Sequence, residues 1–549
     1  MPGSVGPWVA QYAARRPAEG RGAAAVCSQQ CSENPRPINA LGLSRPAARG
    51  TLHARNAVPM TTLIHDTTMI APAGAAALVL RRHSLAFDGG QVGEIGPAAD
   101  FEPRIAAGRF AEVLRADRHV LCPGLVNTHH HLFQSVTRGL PAAQNLRLFD
   151  WLRTLYSPWR RLDHRAVNLA AKVSIAELLL HGCTTTSDHF YMFPPGGDVR
   201  LEAVLDAAEE LGVRIHLCRG SMTLGHSGGG LPPDDCVERG ADVLADCERV
   251  LDAYHDPRPH ALRRIDLAPC SPFNVTRELL RDTRTLARAR GVLLHTHLAE
   301  TVDEQRFCLE RFRCRPVQYL ADLDWLGPDV YLAHCVWLDD AEIELLVRTQ
   351  TAVSLCPTSN MRLGSGLPRI GDLLAAGVRL GLGVDGSSSN DGGNLLAEAK
   401  QALLAARVVS ARCDLRADAC GPRGATKRRS DKTTKEDARS APATALLPAA
   451  AVFRLATLGG AACLNRPELG HLDPGAAADF ALFRMDDIAL AGAAAQDPLA
   501  ALVLCDTPRA DRVFVAGREV VRDGRIVALD EAALGREFND LVAARFAFS

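Results

Sequence analysis

The stretch PGLVNTHHHLFQ, residues 123–134, contains three consecutive histidines, His129, His130 and His131. Because successive side chains of a β-strand point to opposite faces, His129 and His131 are expected to share one face and His130 to occupy the other. Two imidazoles on one face can bind a single metal ion, whereas His130 is expected to pack against or support its neighbours. An H-x-H pair alone is weak evidence for a metal site, so further ligands must come from elsewhere in the chain.

The composition of the 549-residue chain is that of an ordinary soluble enzyme, with 47% hydrophobic and 23% charged residues. A formal net charge of −1 gives no indication of nucleic-acid binding. The sequence contains no run of about 18 apolar residues, so no transmembrane helix is predicted. A cytoplasmic location without membrane contact is therefore expected. Several of the sixteen cysteines stand singly within apolar runs, which predicts buried, reduced thiols rather than disulfides. These are Cys183, Cys218, Cys270, Cys335 and Cys356.

Two segments lack the composition of a folded domain. Residues 1–59 are rich in Ala, Arg, Pro and Gly and poor in acids, which is typical of a transit peptide or of sequence added by a misplaced start. Residues 411–442 are densely charged and poor in large apolar side chains. Both segments are expected to be disordered because they can bury too little apolar surface. The second is interpreted as a solvated insertion, or alternatively as a basic interaction arm around Lys427, Arg428 and Arg429.

Between these segments, short β-rich runs alternate with stretches long enough for helices. Residues 164–182 and 277–291 carry apolar side chains at three- and four-residue spacing, which predicts amphipathic helices. Strands that alternate with helices predict a parallel sheet, and about eight of them after Pro123 predict a closed (β/α)8 TIM barrel. This α/β barrel is assigned to residues 122–469.

The two flanks of the predicted barrel have a different character. Residues 60–121 and 470–549 carry short strands punctuated by glycine, as in DFALFRMDD and RVFVAGREVVRDGRIVAL. Such strands predict a small β-sandwich domain built from both ends of the chain.

Polar side chains follow several of the predicted barrel strands. The fifth strand ends in LLHTHLAE, which contains His295, His297 and Glu300. The sixth ends in LAHC, with His334, and the eighth in GLGVDG, with Asp385. Because catalytic groups of such barrels lie at the carboxyl ends of the strands, these side chains are expected to converge. Imidazole and carboxylate ligands suit Zn²⁺ or Fe²⁺.

These motifs resemble the landmarks of the amidohydrolase superfamily. The matching features are PG-x-V-N-x-H-x-H, H-x-A-E, the strand-six histidine, the strand-eight aspartate and the closing stretch LGHLDPGAAADFALFRMDD. Further stretches, among them TTTSDHFYMFP, LAPCSPFNV and CPTSNMRLGSG, resemble the aminohydrolase (deaminase) branch and most of all the 8-oxoguanine deaminases. Isoxanthopterin deaminases and hydroxyatrazine-type aminohydrolases share much of this pattern. The resemblance implies a hydrolase of carbon–nitrogen bonds in cyclic amidines, acting on a small heterocycle as a homodimer.

The resemblance implies one divalent metal ion, Zn²⁺ or alternatively Fe²⁺. Its implied ligands are His129, His131, His297 and Asp385. Other members of the superfamily bridge two metals with a carboxylated lysine at the end of the fourth strand. Here that strand, RIDLAPCS, ends without a lysine, and none occurs between Lys172 and Lys400. A lysine-bridged metal pair is therefore not expected.

Catalytic roles are also implied by the resemblance. Glu300 would protonate a ring nitrogen, which requires a pKa raised by a water-poor pocket. Asp385 would move a proton from the attacking water to the leaving amine, and His334 would orient that water. The expected reaction is 8-oxoguanine plus water to urate plus ammonia, with deamination or dechlorination of a pterin, guanine or s-triazine as the alternative. Substrate contacts are predicted for Gln134, Trp151, Arg219 and Ser221.

Overall fold

The computed structural model describes residues 62–73, 76–194, 196–419, 446–506 and 508–546. The prediction for residues 1–59 lies outside the described residues. So does most of the predicted insertion at 411–442, although its first residues continue a helix that ends at Ala419.

The strands form two sheets, one from the two ends of the described chain and one from the strands between them. They are β1 (Thr62–Ala73), β2 (Ala76–Asp88), β3 (Gln91–Pro97), β4 (Glu112–Arg115), β5 (His119–Pro123), β6 (Leu125–Asn127), β7 (Cys183–Phe190), β8 (Arg214–Ser221), β9 (Arg263–Pro269), β10 (Leu294–Leu298), β11 (Val330–His334), β12 (Ala352–Leu355), β13 (Leu380–Leu382), β14 (Phe480–Arg484), β15 (Arg512–Val515), β16 (Arg518–Arg522) and β17 (Arg525–Ile526).

Helices connect the barrel strands and flank both sheets. They are α1 (Ala98–Ala106), α2 (Leu148–Trp159), α3 (His164–Leu180), α4 (Glu202–Leu211), α5 (Gly240–Tyr254), α6 (Arg277–Arg290), α7 (Val302–Phe312), α8 (Pro316–Asp322), α9 (Asp340–Thr349), α10 (Pro357–Arg362), α11 (Ile370–Ala376), α12 (Leu395–Ala419), α13 (Ala449–Arg454), α14 (Gly460–Cys463), α15 (Ala493–Gln496), α16 (Pro498–Leu504) and α17 (Glu531–Arg545). The helices predicted over residues 164–182 and 277–291 are confirmed as α3 and α6.

The eight strands β6 to β13 close into a parallel barrel, which confirms the predicted TIM-barrel fold. Every residue of β7 and β8 is buried, as expected for strands covered by helices on one side and by the barrel interior on the other. Close approach of the chain is needed where β13 meets β6. A Cβ atom on Gly383 would lie 2.6 Å from Cβ of His129, so glycine at this position lets His129 occupy the barrel mouth.

The flanking strands form one hydrogen-bonded sheet, in the order β17-β16-β15-β14-β5-β1-β2-β3, with β4 paired to β1. Strand β5 from the amino-terminal flank pairs with β14 from the carboxyl-terminal flank in an antiparallel register. The prediction that strands from both flanks form one β-structure is therefore confirmed, and this structure is a single nine-stranded sheet. Its interior contains Phe87, Phe480 and Phe514, whose rings meet edge to face or tilted.

Two further sequence predictions can be compared with the described residues. Cys183, Cys218, Cys270, Cys335 and Cys356 are all buried and free, as predicted for reduced thiols. Among the helices of the described ranges, none combines the length and the apolar character needed to cross a membrane.

Candidate active site

The H-x-H pair and the strand-eight aspartate meet at the carboxyl end of the barrel. Nε2 of His129 and Nε2 of His131 each lie 3.4 Å from Oδ1 of Asp385. The two imidazoles therefore face the same side, as the alternation of side chains predicts. His130 is turned to the backbone instead, and its Nδ1 accepts a hydrogen bond of 2.8 Å from the backbone N–H of His131.

Backbone carbonyls determine which ring nitrogen of His131 and His297 carries the proton. Nδ1 of His131 donates to the carbonyl oxygen of His189 at 2.6 Å. Nδ1 of His297 donates to the carbonyl oxygen of Cys270 at 2.6 Å. Burial lowers the pKa of both imidazoles, so each ring is neutral and its Nε2 carries a lone pair. These two Nε2 atoms lie 3.0 Å apart, where two lone pairs repel unless a cation is present.

The proton of His129 is placed by a second histidine. Nδ1 of His295 donates to the carbonyl oxygen of Tyr331 at 2.7 Å, which leaves Nε2 of His295 as an acceptor. Nδ1 of His129 donates to that acceptor at 2.8 Å. Nε2 of His129 consequently carries a lone pair and no proton, and it is buried without a hydrogen-bond partner among the described residues.

Three bare imidazole nitrogens and one carboxylate oxygen thus converge without a hydrogen-bond donor between them. His129, His131 and Asp385 form one of the groups whose ligand atoms all lie within 4.8 Å of one another, and His129 and His297 belong to a second such group. Imidazole nitrogens and a carboxylate oxygen are ordinary Zn²⁺ ligands, and the surrounding hydrogen bonds fix the tautomers that metal binding requires. The residues present therefore fit a divalent metal ion.

The structure places no lysine at the end of the fourth barrel strand, β9, in agreement with the sequence. Lys172 lies on helix α3, where its Nζ is 2.6 Å from a carboxylate oxygen of Glu210. Neither observation provides a bridging ligand for a second metal ion.

The environments of the two carboxyl groups of the site favour opposite protonation states. Burial, together with the nearby charge of Asp385, raises the pKa of Glu300 well above its usual range. Hydrogen bonds to both oxygens of Asp385 favour its ionised form instead: Oδ1 accepts from the backbone N–H of Gly386 at 2.7 Å and Oδ2 accepts from the Ser389 hydroxyl at 3.2 Å. The two environments therefore favour the protonated form of Glu300 and the ionised form of Asp385, a division that acid–base catalysis can use.

His334 differs from the other three histidines in its tautomer. The side-chain amide of Asn360 donates to Nδ1 of His334 at 2.9 Å, so the proton of this neutral ring lies on Nε2. That nitrogen is 3.6 Å from Oε2 of Glu300 and 4.0 Å from Oδ2 of Asp385. Burial lowers the pKa of His334 to about 4. His334 therefore presents an N–H donor between the acid and the base.

A cavity adjoins these groups. Its lining includes His131, His297, Glu300, His334 and Asp385, and also two of the predicted substrate contacts, Gln134 and Trp151. Oε1 of Gln134, Nε1 of Trp151 and the hydroxyl of Tyr156 are buried there without a hydrogen-bond partner in the described part of the chain. A heterocycle with donors and acceptors on its edge can satisfy them.

The structure does not bring the other two predicted contacts, Arg219 and Ser221, to this cavity. The Arg219 guanidinium donates to Glu238 at 2.5 Å and to Asp246 at 2.6 Å. It also lies 3.8 Å from the ring centroid of Phe193. Both positions lie on β8 or at its end, but Arg219 is neutralised by carboxylates that approach it from outside the barrel.

Several residues around the site carry no individual prediction from the sequence. His295 is expected from the sequence to converge with the other strand-end side chains, but the sequence assigns it no role, and in the structure it accepts the Nδ1 proton of His129. Asn360 lies within the quoted stretch CPTSNMRLGSG, as does Ser365, whose hydroxyl donates to Oε1 of Glu300 at 3.1 Å. Nothing in the local sequence indicates that Tyr156, on a separate helix, reaches the cavity.

Comparisons with known proteins agree with this geometry. A family model described as "Amidohydrolase family" matches residues 120–422 and 428–520. The chain is 45% identical over 419 residues to an 8-oxoguanine deaminase of Pseudomonas aeruginosa, covering 76% of this chain and 86% of that protein. It is 35% identical to an isoxanthopterin deaminase of an unknown prokaryotic organism, covering 82% and 90% of the two chains. A crystal structure of an atrazine chlorohydrolase from Arthrobacter aurescens TC1 complexed with zinc matches with a TM-score of 0.77 and 29% identity, covering 88% and 100%. The chain belongs to the amidohydrolase family.

Proposed function

We propose that this protein is a metal-dependent deaminase of a purine-type heterocycle, which converts 8-oxoguanine and water to urate and ammonia. The observation that carries the proposal is the convergence of three imidazole nitrogens and the Asp385 carboxyl group beside a cavity that Glu300 and His334 also line. The 45% identity to an 8-oxoguanine deaminase supports the choice of substrate. Deamination or dechlorination of a pterin, guanine or s-triazine is the alternative, supported by the isoxanthopterin deaminase and atrazine chlorohydrolase relatives.

The proposed ligand set holds one divalent ion, with Zn²⁺ preferred because a related structure contains zinc. It consists of His129, His131, His297 and Asp385. When bound, such an ion supplies a water molecule acidic enough to attack at neutral pH.

The proposed reaction uses the side chains according to their protonation. Glu300 donates its proton to the ring nitrogen next to the carbon that carries the amino group, which makes that carbon more electrophilic. Asp385 accepts a proton from the attacking water and delivers it to the amine. A carbon–oxygen bond forms, the carbon–nitrogen bond breaks, and ammonia leaves. The remaining proton of the water returns to Glu300 as the carbonyl forms.

His334 and the cavity lining complete the proposed mechanism. The Nε2–H of His334 can donate to the attacking oxygen, because it lies between the two carboxyl groups. Apolar side chains of the lining, among them Leu148, Leu152 and Phe273, exclude bulk water and so maintain the raised pKa of Glu300.

The proposal extends to assembly and location. A homodimer acting on small heterocycles in the cytoplasm is proposed from the resemblance, with residues 122–469 as the catalytic domain. Light scattering of the purified full chain measures the oligomeric state, and a monomer of full activity would contradict the dimer.

The decisive experiment measures ammonia release by the zinc-loaded full chain with 8-oxoguanine, guanine, isoxanthopterin and a hydroxytriazine. A clear preference in kcat/KM for 8-oxoguanine is expected, and preference for another ring would select the alternative. His297→Ala should lose zinc and activity together. Glu300→Gln should keep zinc and lose turnover by about 10²- to 10⁴-fold, the usual contribution of a general acid. A Glu300→Gln variant close to wild-type activity would contradict the acid role.

A further inference from the structure

Two helices of the barrel begin with the same sequence pattern. Thr301 and Glu304 flank the start of α7, and Asp339 and Glu342 flank the start of α9. A Ser, Thr or Asp followed three residues later by Glu predicts a capping box, in which each side chain bonds the backbone N–H of the other residue. In α9 this box is formed: Asp339 accepts from the N–H of Glu342 at 2.9 Å, and Glu342 accepts from the N–H of Asp339 at 3.0 Å.

In α7 only half of the box is formed. Thr301 accepts from the backbone N–H of Glu304 at 3.2 Å, as an N-cap should. The Glu304 carboxylate, however, extends past the cap to the two preceding residues. Its Oε1 accepts from the N–H of Ala299 at 2.9 Å, and its Oε2 accepts from the N–H of Glu300 at 2.8 Å. The side chain is fully buried.

The peptide that Glu304 holds has an unfavourable backbone conformation. Ala299 has a φ of 53°, in the left-handed region, which costs a non-glycine residue about 1–2 kcal/mol. Its carbonyl oxygen accepts hydrogen bonds from the N–H groups of Val336 and Trp337, which follow β11. Ala299 is therefore held on both sides, by Glu304 at its N–H and by the strand-six loop at its carbonyl.

This turn determines where Glu300 points. The chain leaves β10 after Leu298 and bends at Ala299, and Glu300, the next residue, lines the cavity. There Oε1 of Glu300 accepts from the Ser365 hydroxyl and Oε2 faces His334. A carboxylate that binds both N–H groups of the turn fixes the position of the Glu300 backbone as well as the start of the helix.

We propose that Glu304 is a positioning residue for the catalytic acid, whose carboxylate maintains the strained turn that aims Glu300 at the substrate. The inference rests on the proposed acid role of Glu300. The sequence pattern indicates only that this buried carboxylate caps a helix, and the proposal gives it a further function in the reaction.

The test compares two substitutions at equivalent helix positions in the zinc-loaded full chain. In Glu304→Gln, the amide oxygen can accept one of the two N–H groups, but its NH₂ group faces the other donor and the turn is released. Glu342→Gln is the matched control, because a single amide oxygen can still accept from Asp339. A misplacement of about 1 Å costs about 10²-fold in rate. Glu304→Gln is therefore expected to lower kcat about 10- to 100-fold with KM and zinc content unchanged, while Glu342→Gln keeps kcat near wild type.

A second measurement does not depend on activity. Amide hydrogen exchange of the segment containing Ala299 and Glu300 should accelerate in Glu304→Gln, with or without zinc, and stay unchanged in Glu342→Gln. Glu304→Asp, which keeps both acceptor oxygens on a shorter stem, serves if the glutamine variant does not fold, and it should show the same two effects in weaker form. Wild-type kcat in the Glu304 variants, or an equal fall in Glu342→Gln, would overturn the inference. If the proposed function is wrong but the positioning role of Glu304 is right, the wild-type protein will release ammonia from none of the heterocycles, and the difference in hydrogen exchange between the two variants will persist.

Discussion

Replacing His295 by phenylalanine tests whether hydrogen bonds preset the metal-binding tautomer of His129. In the wild-type chain, Nε2 of His295 accepts the Nδ1 proton of His129 at 2.8 Å. Phenylalanine preserves a ring that can stack on Tyr331, as His295 does with 4.0 Å between ring centroids. It accepts no hydrogen bond, however, so His129 gains by moving its proton to Nε2, which lies 3.4 Å from Asp385.

The moved proton occupies the nitrogen that a metal ion needs. Returning it to Nδ1 leaves a buried N–H without an acceptor, which costs about 1–3 kcal/mol. Zinc should therefore bind about 10- to 100-fold more weakly, the range found when groups that orient metal ligands are removed. Competition with a chromophoric chelator at fixed pH measures the zinc Kd of both proteins.

His189→Phe is the matched control for this substitution. The His189 ring is buried in the same cluster and stacks on His297 with 4.7 Å between ring centroids. Its Nε2 donates to the carbonyl oxygen of Ala268 at 2.9 Å. The zinc Kd of His189→Phe should stay close to the wild-type value. Unchanged zinc affinity in His295→Phe would refute the tautomer argument, and equal losses in both variants would show that packing of the cluster is responsible.

Three further predictions concern stability and substrate binding. Asp479→Asn should lower the free energy of unfolding in urea by about 3–5 kcal/mol, because Asp479 accepts two hydrogen bonds of 2.9 Å from the fully buried Arg214. A loss below about 1 kcal/mol, the size expected for a surface ion pair, would contradict this prediction. Arg219→Met should lower Tm without raising KM, since its guanidinium is bound by carboxylates outside the cavity, and a large rise in KM would restore its predicted substrate role. Trp151→Phe should raise KM for 8-oxoguanine about tenfold, the value of one buried hydrogen bond, and an unchanged KM would exclude its indole N–H as a substrate contact.

The barrel could be predicted from the sequence because each of its strands and helices is indicated by the pattern of residues within that element. Apolar strands such as β7 and β8 and amphipathic helices such as α3 each carry their own period, and the alternation of the two decides the architecture. Pairing between distant strands is different. The register that joins His119–Pro123 to Phe480–Arg484 depends on two segments far apart in the chain, and neither contains a feature that identifies the other.

The site shows the same division between local and distant information. Alternation along one strand predicts that His129 and His131 face together, and the structure places both at the same distance from Asp385. The position of Arg219 away from the cavity lining has a distant cause, because Glu238 and Asp246 reach its guanidinium only in the folded chain. A charged side chain near a strand end is a candidate substrate contact until such partners are known.

The roles of the four central histidines are decided by their neighbours rather than by the histidines themselves. Backbone carbonyls take the Nδ1 proton of His131 and of His297, and His295 takes that of His129, so all three present lone pairs. His334 receives a donor from Asn360 instead, so it presents a proton. An imidazole with its proton directed into the cavity cannot bind a metal ion there, but it can stabilise an attacking oxygen. One residue type thus serves metal binding and hydrogen-bond donation within a few ångströms, and the difference lies in a single amide that the histidine motifs do not contain.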